Sequence, residues 1–364
     1  IVAKSLTNGK TLWTGVGKES YKKSPDFFVA SGLVWSRDLK GRDPKTGKVV
    51  RTLKQEMTGP MSHDRCYRNR ITDFHFLNSA SGGTDFMALD GSLESPNPWV
   101  RSTCGLAVMP ANGMIYKGPY VCQCAVGSMV SGVNALYNGS GNTGEMFTVE
   151  IEPRLVKRPA FGSAAGAATT ASDWPTYRYS SMRSAIATAP TAESLAPKWN
   201  VDIGSQPTAP VVAGDTVYVA DRDNYTLHAL DRENGNTRWT YIAEGSIDSP
   251  PTYYQGMVLY GTRTGRVHCL RASDGQLAWK FSPMPERRLV CDAGRLESAW
   301  PVNGSVMIFK NTAYFAAGRS SFLDGGIGVF ALDPSTGKMK HGRMVRGPYP
   351  KKWGLYRLYA GLVQ

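Results

Sequence analysis

No stretch of the sequence approaches the ~18 uninterrupted apolar residues that a membrane-spanning helix needs, so no spanning helix is expected. Charge is sparse, at 20% of residues, while Gly (39), Pro (22) and Tyr (17) are plentiful. That profile excludes a predominantly helical protein and suits short strands joined by tight turns. Neither a Ser-His-Asp arrangement nor a phosphate-binding glycine loop is recognisable. No signal peptide opens the chain either. It begins at Ile1 without Met and falls into mid-repeat sequence. A processed or incomplete N-terminus is therefore expected, and the missing leader says nothing for the cytoplasm.

Lys and Arg exceed Asp and Glu by 42 to 29, a formal charge of +13. Such an excess attracts polyanions. The basic residues are scattered, with only short clusters such as Lys22-Lys23, Arg287-Arg288 and Lys351-Lys352. No basic and aromatic platform of the kind single strands use is present, so a solvated basic surface is expected and specific nucleic-acid binding is not.

Internal repetition is the strongest signal. One unit runs Ala209-Pro210-Val211-Val212-Ala213-Gly214-Asp215-Thr216-Val217-Tyr218-Val219-Ala220, continues through Leu227-His228-Ala229-Leu230-Asp231, and closes on Asn234-Gly235-Asn236-Thr237-Arg238-Trp239. The next repeats each part, with Pro250-Pro251-Thr252, Gly256-Met257-Val258-Leu259-Tyr260-Gly261, Val267-His268-Cys269-Leu270, Asp274-Gly275 and Trp279. The two tryptophans stand about forty residues apart, the length of a four-stranded propeller blade. The closing phrase returns at Asn8–Trp13, Asp43–Lys48 and Ala331–Lys338, and more weakly at Ala88–Gly91. A further unit is plausible around Cys104–Leu136. Each turn supplies a residue tolerant of φ > 0, and the Trp beyond it can seal the gap between blades. The expected fold is all-β: a β-propeller of four-stranded blades, seven or eight in number.

The phrase Ala-Leu-Asp-x-x-x-Gly-x-x-x-Trp resembles the PQQ-binding-like (quinoprotein-type) repeat, also used by an outer-membrane assembly lipoprotein. The runs Asp173–Arg178, Gly294–Val302, Ala316–Gly326 and His63–Arg68, with Cys104 through Cys124, resemble a planctomycete-type subgroup of that family. The resemblance covers Ile1 to about Lys340. It implies a propeller and an exported, periplasmic or envelope-facing protein. Enzymes of the family hold their quinone beneath a vicinal Cys-Cys disulfide and above a Trp, beside a calcium or lanthanide ion with carboxylate and amide ligands. Here no Cys-Cys pair exists. The nearest substitute, Cys122-Gln123-Cys124, departs from the pattern and argues against PQQ.

One propeller is expected over 1–345, with an irregular inter-blade insert at 139–200 and a tail or closing strand at 346–364. Ile1 to Trp13 reads as the last strands of one blade. Gly162–Thr170 has a flexible, weakly folding composition, and Asp173–Arg183 reads as an extended segment entering the next blade.

Several residues are candidates for chemistry. Residues two apart on a strand face one way, so Cys122 and Cys124 would be strained if bonded to each other. Disulfides with Cys66 or Cys104, buried free thiols, and a metal or iron–sulfur site all stay open. Cys269 reads as packing and Cys291 as incidental. His63, Arg65, Tyr67 and Arg68 either brace the loop around Cys66 or meet a ligand at the channel rim, and Arg101 is a further ligand candidate. Glu297 and Trp300 are expected on a channel-lining first strand. Arg319 either supplies a cationic fork to a ligand or pairs with Asp324 to hold a long hairpin open.

With no complete catalytic set, the expectation is a non-catalytic binding or scaffolding propeller recognising a protein or an acidic glycan. The alternatives are an oxidoreductase or lyase-like enzyme acting on sugars or alcohols in the channel, and a metal- or cluster-bearing electron-transfer subunit.

Overall fold

The computed structural model describes residues 1–17, 26–55, 68–78, 83–95, 97, 100–103, 105–119, 132–137, 153–164, 166–187, 194–204, 206–284, 287–292, 295–319, 321 and 324–346. These residues are all-β. Five sheets contain a four-stranded antiparallel meander and one has three strands, each strand pairing with its neighbour in sequence. This up-and-down order is that of a propeller blade. The blades are lettered in chain order. Blade A holds Phe27–Ala30, Leu33–Ser36, Lys40–Arg42 and Val49–Thr52. Blade B holds Arg70–Ile71, His75–Asn78, Asp85–Ala88 and Glu94–Ser95. Blade C holds Met109–Ala111, Met114–Lys117 and Asn134–Tyr137. Blade D holds Val211–Ala213, Thr216–Asp221, Thr226–Asp231 and Thr237–Ile242. Blade E holds Thr252–Tyr254, Met257–Gly261, Val267–Arg271 and Leu277–Phe281. Blade F holds Met307–Phe309, Thr312–Ala317, Ile327–Leu332 and Met339–Val345.

First strands touch from A to B, B to C, D to E and E to F. The blades thus form two arcs, A–C and D–F, with their first strands innermost. The core is correspondingly layered between blades. One apolar layer joins D to E through Tyr218, Leu227, Trp239 and Tyr260. Another joins E to F through Trp279, Phe281, Phe315 and Phe330.

The repeated phrase explains how the blades stack. In blade F the Asp333 carboxylate accepts the Ser335 and Thr336 amides at 3.1 and 2.9 Å, closing the turn locally. Gly337 then takes φ +65°, and a Cβ there would lie 2.7 Å from the Trp279 ring of blade E. Glycine is required twice over, for its backbone and for the ring above it. The Trp279 indole N–H donates to Pro334 O at 3.1 Å. Trp239 docks identically on the turn of blade E, donating to Ala272 O at 2.9 Å. Trp13 donates to Pro44 O at 2.8 Å and Trp199 to Arg232 O at 2.9 Å. Each tryptophan therefore caps the turn of the following blade, as expected for a ring sealing the seam. Trp13 lies on the hairpin Val2–Lys4/Thr11–Thr14. It and Trp199, which itself lies in no strand, mark two further blade positions.

The segment 154–183 departs from the expectation. Leu155–Lys157 is a fifth strand on the outer edge of blade E, opposite Leu277–Phe281. The Gly/Ala-rich stretch that follows is no slack linker. Gly166 lies so close to blade E that a Cβ would meet the Gly256 Cα at 2.5 Å. Its small residues permit that approach. Asp173–Arg183 does not simply enter one blade. Trp174 pairs with Val212 of D, Pro175 O accepts the Tyr253 amide of E at 2.8 Å, and the Arg183 guanidinium reaches Ser305 O before F at 3.4 Å. The segment straps the three first strands together. Its tie is the buried pair Thr176 Oγ1···Thr252 Oγ1 at 2.8 Å, with the Thr252 hydroxyl donating to Val306 O at 2.6 Å. Replacing Thr252 by Val leaves Val306 O without its donor and Thr176 Oγ1 with only the Arg183 Nη1 contact at 3.3 Å, so stability is expected to fall by about 1–3 kcal/mol in urea denaturation. A loss near zero would mean that the strap does not bind the arc.

Candidate functional site

A meander places its turns alternately at two ends. The Gly-bearing turns and the docked tryptophans occupy one end of arc D–F. The opposite end carries the loops from second to third strand and the connections between blades, and there the charge collects. The Asp248 carboxylate accepts the Ser246 hydroxyl at 2.5 Å, is bonded by Arg263 Nε, and has Arg222 Nε at 3.5 Å. Burial pushes the Asp248 carboxyl up, but Ser246, Arg263 and Arg222 outweigh it and hold its pKa below the ordinary carboxylate value. Arg263 Nη1 donates to Glu297 Oε2 at 2.8 Å. Burial pulls the Arg263 pKa down, and Asp248 with Glu297 more than restores it.

Glu297 is 2% exposed. It lies on the hairpin Leu289–Asp292/Arg295–Ser298, inserted between blades E and F, and not on a first strand as expected. Blade F begins only at Met307. Arg295 ties this hairpin to blade D through Asp223 Oδ1 at 2.7 Å.

A second group stands beside the first. Asp324 accepts Arg288 Nη2 on Oδ1 and Arg319 Nη2 on Oδ2, both at 2.7 Å. The Trp300 indole N–H donates to Asp324 O at 2.7 Å, and the Arg288 guanidinium lies over the Trp300 ring at 4.8 Å. The expected Arg319–Asp324 pair is formed, yet it does not use up the arginine. Among the described residues, Arg319 Nε and Nη1, Arg288 Nε and Ser321 Oγ are buried with no hydrogen-bond partner. Arg288, Trp300, Arg319 and Asp324 line a cavity of about 1830 Å³.

The structure thus brings Glu297, Trp300, Arg319 and Asp324 to one end of arc D–F. Arg68 lies in arc A–C, where its Nε and Nη2 donate to Asp26 Oδ1 at 3.0 and 2.9 Å, while Asp26 Oδ2 accepts the Asn69 amide at 3.0 Å. That geometry braces the start of blade B. Arg101 is buried. His63, Arg65, Cys66, Tyr67, Cys104, Cys122, Cys124 and the Cys291 side chain lie outside the described residues. Cys269 is a buried free thiol whose pKa burial pushes well up, as suits a packing residue.

Asp248, Arg288 and Ser321 sit in loops without the repeat's marking phrase, whereas Arg263 stands in blade E where Arg222 stands in blade D, a repeated arginine that could have been noticed. A second unflagged network lies in the seam between D and E. His268, itself buried, is bonded to Tyr260 OH at 3.0 Å and to Glu244 Oε1 at 3.1 Å. Burial pushes Glu244 up, and the bonds from His268 and Arg266 prevail, bringing its pKa to about 2.

Among the described residues no helix is long and apolar enough to cross a membrane.

A family model described as "Outer membrane protein assembly factor BamB" matches residues 183–349. A protein of Komagataeibacter europaeus named "Alcohol dehydrogenase (quinone), dehydrogenase subunit" is 28% identical over 167 residues, 42% of this chain and 22% of its own length. One of the same name from Acetobacter aceti is 24% identical over 228 residues, 60% of this chain and 29% of its own. Among solved structures, a quinohemoprotein alcohol dehydrogenase of Pseudomonas putida HK5 matches 48% of this chain and 27% of its own, at 18% identity and a TM-score of 0.38. The chain spans about a fifth to three tenths of the length of these curated relatives. That the relatives are named dehydrogenase subunits overturns the expectation of a non-catalytic binding or scaffolding propeller. Over residues 183–349 the repeat and its turn chemistry are similar to those of PQQ-like repeat proteins.

Proposed function

We propose that this chain is propeller sequence of an oxidoreductase acting on alcohols or sugars, with substrate held at the charged end of arc D–F. The observation that carries the reading is the pair of ion networks there, Asp248–Arg263–Glu297 and Arg288–Asp324–Arg319. Packing blades together does not call for buried charge, which is costly unless it serves position or chemistry. The names of the curated relatives support the same reaction class.

A polyol suits this donor set. Guanidiniums donate to hydroxyl oxygens, and carboxylates accept from hydroxyl hydrogens. Because the networks hold each group in place, a bound sugar meets fixed partners and little reorganisation is needed. The divalent ion that accompanies a quinone requires carboxylate oxygens turned toward it. Here Asp248, Glu297 and Asp324 are each engaged by guanidiniums. Among the described residues no group of three His, Cys, Asp or Glu is placed to hold a metal. The described residues therefore do not fit a metal–quinone pair, and no step is drawn through it.

Export to the bacterial envelope accompanies this reading, with a protein partner or an acidic glycan within reach of the basic surface. The test is turnover of primary alcohols and aldoses by the purified chain with an artificial electron acceptor, with and without pyrroloquinoline quinone and calcium. Oxidation is expected in at least one arm. Its absence from every arm would sink the proposal.

A further inference from the structure

The ion count around Asp324 is uneven. Among the described residues one carboxylate serves two guanidiniums, each with an Nη2 contact at 2.7 Å, which leaves one positive charge without a carboxylate of its own. The surplus has a location. Only Nη2 of Arg319 is taken up by Asp324, while its Nε and Nη1 are buried without a partner among the described residues. The Arg319 side chain is 12% exposed, so water compensates it poorly. Ser321, two residues on and 2% exposed, likewise has an unmatched Oγ. Buried donors are normally satisfied, and a charged one left unmatched is costly. Arg288 cannot turn away to relieve the deficit, because the Trp300 ring and Asp324 hold it. A planar, always-charged donor held by packing and aimed into a cavity is suited to an oxyanion.

We infer that Arg319, on the cavity wall, anchors a subsite for the carboxylate of a sugar acid, with the buried, unmatched hydroxyl of Ser321 two residues on as its second donor. A carboxylate is favoured over a phosphate because the surplus among the described residues is a single charge, which one carboxylate neutralises. The inference rests on the oxidoreductase reading only in treating the ligand as substrate, since the subsite itself is measured by binding.

Isothermal titration of the purified chain with glucuronate, trigalacturonate and glucose tests it, using wild type, Arg319→Met and Ser321→Ala. Glucuronate or trigalacturonate is expected to bind roughly 10- to 100-fold more tightly than glucose, the range of one or two charge-assisted hydrogen bonds. The trimer distinguishes a glycan end from a free sugar acid. Arg319→Met is expected to erase the preference and Ser321→Ala to reduce it. Because the methionine removes a buried unmatched charge and Arg288 still holds Asp324, Arg319→Met is expected to melt no lower than wild type. A lower melting point with the preference intact would make Arg319 a brace only and overturn the subsite. So would equal affinity for glucuronate and glucose. Pyrroloquinoline quinone is run as a fourth ligand, and its binding through Arg319 with none of the sugar acids would also overturn it. Carboxylate binding without turnover in any arm would instead refute the oxidoreductase reading and leave the subsite standing.

Discussion

Replacing Trp279 by Ala is expected to lower stability by about 3–5 kcal/mol, the range for truncating a large aromatic in a packed core. Trp279 is fully buried, and its ring lies on Gly337 of the next blade with Leu155 of the fifth strand beside it. Its loss opens the seam between E and F and leaves Pro334 O without its donor. Trp13 makes the same bond to Pro44 O, but at an exposed seam. Trp13→Ala is therefore expected to cost well under half as much. Urea denaturation of both variants measures the contrast. Equal losses would mean that the cost is local to the turn and not set by burial between blades.

That contrast shows what the sequence made legible and what it did not. The closing phrase could be read because its chemistry is local and repeated. The Asp carboxylate folds back on the turn amides, the glycine takes a left-handed φ, and the tryptophan finds that glycine one blade away. The strap 154–183 was hidden by composition. Its small residues look like slack chain, and only the Gly166–Gly256 approach shows that smallness is what lets the backbones meet. The site was legible in part. Glu297, Trp300, Arg319 and Asp324 stood out as unusual polarity for strands; Trp300 and Arg319 meet on Asp324, while Glu297 belongs to the Asp248–Arg263 network. Their partners Asp248 and Arg288 stand in connections between blades and carry no repeat signal, while Arg263 is the blade E counterpart of Arg222, a recurrence that shows only once the strand register is known. Glu297 was also placed on a first strand, because the inserted hairpin 289–298 has no counterpart in blades D and E.

The second large effect is expected at Arg263. This side chain bonds Asp248 through Nε and Glu297 through Nη1, and the two carboxylate side chains are only 10% and 3% exposed. Arg263→Met removes the shared cation while filling much of its volume. Two buried carboxylates then face each other's charge, with Arg222 Nε, 3.5 Å away, still paired to Asp248. The expected loss at pH 7.5 is about 3–5 kcal/mol. Its pH dependence should run opposite to that of the wild type. In the wild type the Asp248 pKa is depressed in the folded state, so its contribution is present above the unfolded value of about 3.9 and is lost as pH falls through the folded one. In the variant, burial without the guanidinium raises the folded pKa of the carboxylates above the unfolded value. The folded state then binds protons first, and the stability deficit shrinks as pH falls from 7.5 toward 5. Adding Glu297→Gln removes one of the two charges at neutral pH and should recover part of the loss. Chemical denaturation at several pH values measures all three. A deficit for Arg263→Met that is small and flat with pH would mean that water enters freely at this end of the arc, and that the networks are not the dry, fixed frame a bound sugar needs.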